Sequence, residues 1–267
     1  GFFPIIHYDP VMRSRGFLLY ILLSASIASA TELLINFDNF LAGSAPTGFV
    51  SNVTGSGRPG AWKIIDDQVT TIALAPVLAG AKVPTRHVLA QLDQDPSEEH
   101  FPLLIYNGET FTDFTLTTRF KCVRGTVEKM AGIAFRIQDE RNYYVVRASA
   151  GGNTFRFYKF VNGERSTPIG PEIDIPAGTW HELSLSCKGD QIRCSLNGRE
   201  LIPALTDTSF ASGRVGFWTK SDAVTYFSDL RIHSTPPLPS AQDLVPSLPP
   251  NFPRPTALTT YPHPRAH

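Results

Sequence analysis

Ile133-Ala134-Phe135-Arg136-Ile137-Gln138 is followed by the turn residues Asp139–Asn142, then by Tyr143-Tyr144-Val145-Val146-Arg147-Ala148, by Ala150-Gly151-Gly152-Asn153, and by Phe155-Arg156-Phe157-Tyr158. Polar and apolar side chains alternate along these runs, which is the pleat of a half-buried strand. A turn at Asp139–Asn142 pairs Gln138 with Tyr143, and a turn at Ala150–Asn153 pairs Ala148 with Phe155. In that register Ile133, Phe135, Ile137, Tyr144, Val146, Ala148, Phe155 and Phe157 share a core face. Arg136, Gln138, Tyr143, Arg147, Arg156 and Tyr158 share the other, with Val145. Planar donors and aromatic rings on one face suit a sugar, whose hydroxyls take paired hydrogen bonds and whose C–H face stacks on rings. The same residues also fit an ordinary solvent face with cross-strand Arg–Tyr packing.

The neighbouring sequence repeats the pattern. Thr115–Phe120, Leu183–Cys187, Ile192–Leu196 and Val215–Trp218 alternate, and Asn162-Gly163, Lys188–Gln191 and Asn197-Gly198 supply turns between runs. No long amphipathic helix follows residue 30. Short strands at this spacing predict an all-β sandwich of two antiparallel sheets.

The ends read differently. Met12-Arg13-Ser14-Arg15 is a short basic start, and Gly16–Ala28 is a 13-residue apolar run, shorter than the roughly 20 residues that span a bilayer. Ala28-Ser29-Ala30 is a small-x-small cleavage pattern, so residues 12–30 are expected to be a signal peptide and residues 1–11 an upstream extension. The product would be secreted or periplasmic, with no membrane span once the signal is removed. Ten of the 22 prolines fall within 235–267, which predicts a disordered, polyproline-like tail. The expected folded domain is 31–234. It carries 20 basic and 22 acidic residues, a net charge of −2, which lacks the basic footprint a nucleic-acid binder needs.

Two cysteines flank a turn. A two-residue turn at Asp190-Gln191 sets Cys187 opposite Cys194, which allows either a disulfide or two buried thiols. Cys122 is then the odd, buried thiol. Candidate acid/base residues are His181, Asp222 and Glu172, all weak. Glu172-Ile173-Asp174-Ile175 begins like a paired-carboxylate glycosidase strand, but the third acidic position is Pro176, which ends the strand. Asp222 and Asp229 are candidates for a structural calcium ion. No other cofactor is required. Trp62, Trp180 and Trp218 stand near strand ends, where they either rim a glycan cleft or plug the core.

Several phrases occur in a telling order: Gly60-Ala61-Trp62-Lys63-Ile64, Val88-Leu89-Ala90-Gln91, Ala131-Gly132-Ile133-Ala134-Phe135-Arg136, Gly178-Thr179-Trp180-His181-Glu182-Leu183 and Gly216-Phe217-Trp218-Thr219-Lys220-Ser221-Asp222. Over roughly Leu34–His233 the chain resembles exported concanavalin A-like (laminin-G-like) jelly-roll domains of the 3-keto-disaccharide hydrolase (DUF1080) type, often labelled family 16 glycoside hydrolase-like. Gly132, Ile133 and Arg136 match the motif of the hydrolase members, while Met130-Ala131 stands where they carry Asn-Ser. The resemblance implies a jelly roll with a sugar groove on its concave sheet. Three functions follow as expectations. The first is a carbohydrate-binding domain whose partner is a glycan or oligosaccharide, held by Arg136, Gln138, Tyr143, Arg147, Arg156, Tyr158 and Trp218. The second is a glycoside (3-keto-disaccharide) hydrolase or lyase in the same groove. The third is a laminin-G-like protein-interaction module.

Overall fold

The computed structural model describes residues 30–69 and 83–235. The expected upstream extension, signal peptide and proline-rich tail lie outside the described residues. The architecture is the expected all-β jelly-roll sandwich of two antiparallel sheets. Among the described residues the one helical element is a 3-10 turn at Phe37–Asn39, N-capped by the Asn36 side chain. Among the described residues no helix is long and apolar enough to cross a membrane.

The first sheet has eight strands. β13 (Arg199–Thr206), β12 (Gln191–Leu196), β11 (His181–Lys188), β6 (Asp113–Arg124), β15 (Val224–Thr235), β4 (Thr85–Gln91) and β3 (Trp62–Gln68) lie side by side in that order. β1 (Thr31–Ile35) pairs with the second half of β15. The second sheet runs β10 (Glu164–Arg165), β9 (Thr154–Val161), β8 (Asn142–Ser149), β7 (Met130–Asp139), β14 (Arg214–Trp218), β5 (His100–Tyr106) and β2 (Phe49–Gly55).

β6 shows how the sequence builds the sheet. Phe114, Leu116, Thr118, Phe120 and Cys122 point to the core, while Thr115, Thr117, Arg119 and Lys121 point away. β11 repeats this with Leu183, Leu185 and Cys187 inward. The main core is the interleaved layer between the sheets, where Leu116, Phe120, Leu185, Ile192, Ile133, Phe135, Tyr144, Val146, Phe155 and Phe217 are all buried. Two Asn-Gly hairpins hold the register. Asn162-Gly163 joins β9 to β10 and Asn197-Gly198 joins β12 to β13, with all four residues at positive φ. Such turns match the strand twist.

The second sheet carries a second apolar layer on its outer face. Phe101, Leu103, Ile105, Tyr143, Val145, Tyr158, Phe160 and Trp218 form it. Nearly continuous apolar runs in β5 and β8 reflect strands buried on both faces.

Two register expectations change. β7 and β8 pair Phe135 with Tyr144 and Asp139 with Asn142, so three residues on β7 face one on β8. Within that irregularity Arg136 adopts φ 47. Gly213 makes room for it, since a Cβ there would stand 2.4 Å from the Arg136 carbonyl carbon. Ile137 therefore joins the outer layer, contrary to the expected core placement. In the β11–β12 hairpin Lys188 pairs with Gln191 around Gly189-Asp190, so Cys187 faces Ile192 and Cys194 faces Leu185. The cysteines are not directly opposite, and Cys122, Cys187 and Cys194 are all free and buried. The disulfide alternative gives way to buried thiols.

Candidate functional site

β8 and β9 bring the candidate site together on the outer face of the second sheet. Arg147 and Arg156 are direct partners across these strands, and Val145 pairs with Tyr158. Arg147 Nη2 donates to the Tyr158 hydroxyl at 3.0 Å. Its Nη1 donates to the Thr154 carbonyl at 3.1 Å and to the Thr154 hydroxyl. The Arg147 guanidinium also lies 5.5 Å from the Tyr158 ring centroid. Burial lowers the Arg147 pKa from its ordinary value, against the opposing pull of Tyr158 and Glu128. Gly132 allows this packing, since a Cβ there would meet Arg147 Cβ at 3.0 Å and a Trp218 ring carbon at 3.1 Å.

Arg165 completes the cluster. Its guanidinium lies 5.3 Å from the Tyr158 centroid and 5.5 Å from that of Phe101. Its strand, β10, exists because the Asn162-Gly163 turn folds two residues back onto β9. The sequence reading missed Arg165, and the Asn-Gly signal followed by Glu164-Arg165 was the clue available. Glu172 is bridged to Thr154 and stands 4.0 Å from Arg156. Of the three acid/base candidates, it is the one placed at this face.

The other predicted residues go elsewhere. Arg136 leaves the face at the β7 irregularity and is fully buried between the sheets. Its guanidinium donates to the carbonyls of Thr112, Gly189 and Phe210. Arg136 is a tie between the ends of the two sheets, which corrects its assignment as a ligand residue. Gln138 turns to the Ser212 and Arg136 carbonyls. Tyr143 and Trp218 lie on the outer face but are buried in its aromatic layer. Trp218 Nε1 donates to the Tyr143 hydroxyl at 3.3 Å, Trp218 stacks on Phe101, and Tyr143 stacks on Phe160. Burial pushes the pKa of the Tyr143 hydroxyl well above its ordinary value, against its bonds to Thr54 and Trp218. These rings therefore support the site from below and are not placed to stack on a ligand.

His181 sits in the first sheet, against Phe120. Its Nε2 is 3.0 Å from the Pro176 carbonyl and its Nδ1 is 3.2 Å from the Asn197 amide nitrogen, which occupies both ring nitrogens. Asp222 accepts the backbone N–H groups of Thr126, Val127 and Glu128. Burial raises its pKa, but these bonds outweigh that and leave it lowered. Asp229 accepts from Arg86. The two carboxylates thus serve different partners, and among the described residues no group of three His, Cys, Asp or Glu is arranged to hold a metal ion. The tryptophans are also dispersed: Trp62 in the main core, Trp180 against Val69 and Val88 outside the first sheet, Trp218 outside the second.

With this geometry in hand the relatives become informative. Residues 36–233 match the 3-keto-alpha-glucoside-1,2-lyase-like domain. The chain belongs to this family. No curated protein is similar to it at a significant level. Among solved structures it is similar to the carbohydrate-binding module CBM66 from Bacillus subtilis, with 19% identity over 72% of this chain and 98% of that one, and a TM-score of 0.51. It is also similar to domain 4 of AbnA, a GH43 extracellular arabinanase from Geobacillus stearothermophilus solved with arabinotriose, at 12% identity over 76% and 91% of the two chains and a TM-score of 0.47. At these identities the likeness to CBM66 speaks for the fold alone. Activity must be argued from the family domain's own site.

Proposed function

We propose that this member of the lyase-like family is an exported, glycan-binding jelly roll that holds a sugar on the outer face of its second sheet. The observation that carries this reading is the Tyr158 ring flanked by two guanidinium groups, Arg147 and Arg165, with Arg156 in register beside them. Guanidinium forks can hold vicinal hydroxyls in pairs, and the buried Tyr158 ring holds two of these forks in place. Arg147 is held by its bonds to Thr154 and Tyr158, so little side-chain entropy is lost on binding. Hydrogen-bond donors suffice for this chemistry without a metal.

A second reading has its own support. A ketone at C3 acidifies the C2–H of a glycoside, and a base that removes this proton allows the C1 substituent to leave. Glu172, 4.0 Å from Arg156, is the carboxylate at the face that would act as base. A glycan array and a 3-keto-glucoside turnover assay on the full chain separate the readings. Binding without turnover is expected. Turnover abolished by Glu172→Gln would establish the enzyme instead, and silence in both assays would leave a laminin-G-like interaction module.

A further inference from the structure

Arg147 is only 8% exposed. Its acceptors are the Thr154 carbonyl, the Thr154 hydroxyl and the Tyr158 hydroxyl, all neutral. The nearby ion pairs leave it out. Arg156 reaches Glu172 at 4.0 Å, Arg165 reaches Glu99 at 3.7 Å, and Glu128 is held by Lys220 at 2.8 Å. Charged groups inside proteins are normally paired, because desolvating an unpaired one is costly. Here the direct cross-strand partner of the buried cation is a second cation, Arg156. Like charges in that position destabilise a sheet.

The carboxylates that offset this charge are weakly committed. Glu172 is 85% and Glu99 65% exposed at the side chain. Exposed pairs of this kind contribute little, so an incoming anion displaces them at little cost. Arg147 is also fixed by its bonds to Thr154 and Tyr158, which presents its charge in one place. Fixed planar guanidinium groups are suited to carboxylate and sulfate oxygens.

We infer that the sugar recognised at this face is acidic, with its carboxylate or sulfate seated between Arg147 and Arg156. The inference rests on the glycan-binding reading above. Titration calorimetry on the full chain tests it with four probes: tetragalacturonate, its methyl ester, a κ-carrageenan tetrasaccharide carrying sulfate only, and neutral cellotetraose. At least one acidic probe is expected to bind about tenfold or more tighter than the ester and the neutral sugar, and to weaken as salt rises. The acidic probe that binds identifies the group as carboxylate or sulfate. Arg156→Gln is expected to lower acidic binding about tenfold. Arg147→Gln should do the same. If that buried variant fails to fold, Arg165→Gln at a more exposed position serves beside Arg156→Gln. Neutral or esterified probes binding as well as the acids, or acidic binding untouched by Arg156→Gln, would overturn the acidic inference and leave glycan recognition standing. No binding in any arm would overturn both.

Discussion

Arg136 shows at one residue what the pattern of the sequence conceals. Its alternation with Ala134 and Gln138 puts it on the ligand face. Its backbone at φ 47, fitted against Gly213, puts it in the interior instead. Nothing in a period-two reading encodes a left-handed residue, because arginine has no special preference for one. The side chain then satisfies three carbonyls from three separate loops. Arg136→Met would leave those carbonyls without donors, and a loss of about 3 kcal/mol or more is expected in thermal or denaturant unfolding. Arg136→Lys is expected to recover little, because one ammonium cannot follow the spread of the fork. A variant at Arg136 that lost glycan binding with unchanged stability would return this residue to the site. Asp207 carries a second residue-scale expectation. Burial raises its carboxyl, but bonds from Lys159, Tyr144 and Ser209 outweigh that and hold it well below the usual range. A carboxylate depressed in the folded state adds stability above its unfolded pKa, near 4, and loses it as pH falls through the folded value. Stability is therefore expected to be level on this account from about pH 5 upward and to decline below about pH 4. Asp207→Asn should flatten that decline in melting curves taken across pH.

At the scale of elements, the strands were legible and the joints between them less so. β6, β11 and β12 alternate cleanly because one face meets the core and the other meets solvent. β8 and β9 pair as read, Ala148 with Phe155, and the two-residue slip of β7 against β8 preserves the side of Ile133 and Phe135. The same parity rescued the cysteines' face but not their pairing. Asp190-Gln191 looked like the turn, whereas Gly189, at φ 56, takes the left-handed corner one residue earlier. Cys187 and Cys194 end up diagonal to each other on the inner face. Burial pushes the thiols of Cys122 and Cys187 up to about 12 and that of Cys194 well above its ordinary value. Thiolate is the reactive form, so these groups are inert at neutral pH. Ellman's reagent at pH 8 is expected to find no reactive thiol in the native chain and three after guanidinium denaturation. Fewer than three in the denatured, unreduced chain would reveal a disulfide that this hairpin geometry does not contain.

For the whole molecule, the fold class followed from local patterns, but the order of strands did not. β15, the last described strand, lies between β6 on one side and β4 and β1 on the other. Ser234 is paired with both Thr31 and Phe114, partners far away in sequence. Side-chain alternation specifies a face and leaves the neighbour open, so such pairings could not be read from one chain. The consequence is a dependence on the C-terminal strand. A chain ending at Asp229 would lack Leu230 and Ile232, both buried in the main core, and would leave β1 without its partner. It would also expose the edge of β6 in the middle of the larger sheet. Such a truncation is expected to lose the cooperative unfolding transition and its near-ultraviolet circular dichroism. A cut after Thr235 keeps every described strand and should retain both. Because the central pairings close only when β15 arrives, refolding of the intact chain is expected on the slow side of the range for β proteins, about milliseconds to seconds or longer. Stopped-flow fluorescence from buried Trp62 and Trp218 would follow it. A cooperative transition in the chain ending at Asp229 would show that the second sheet, with its own outer aromatic layer, can hold the fold without the closing strand.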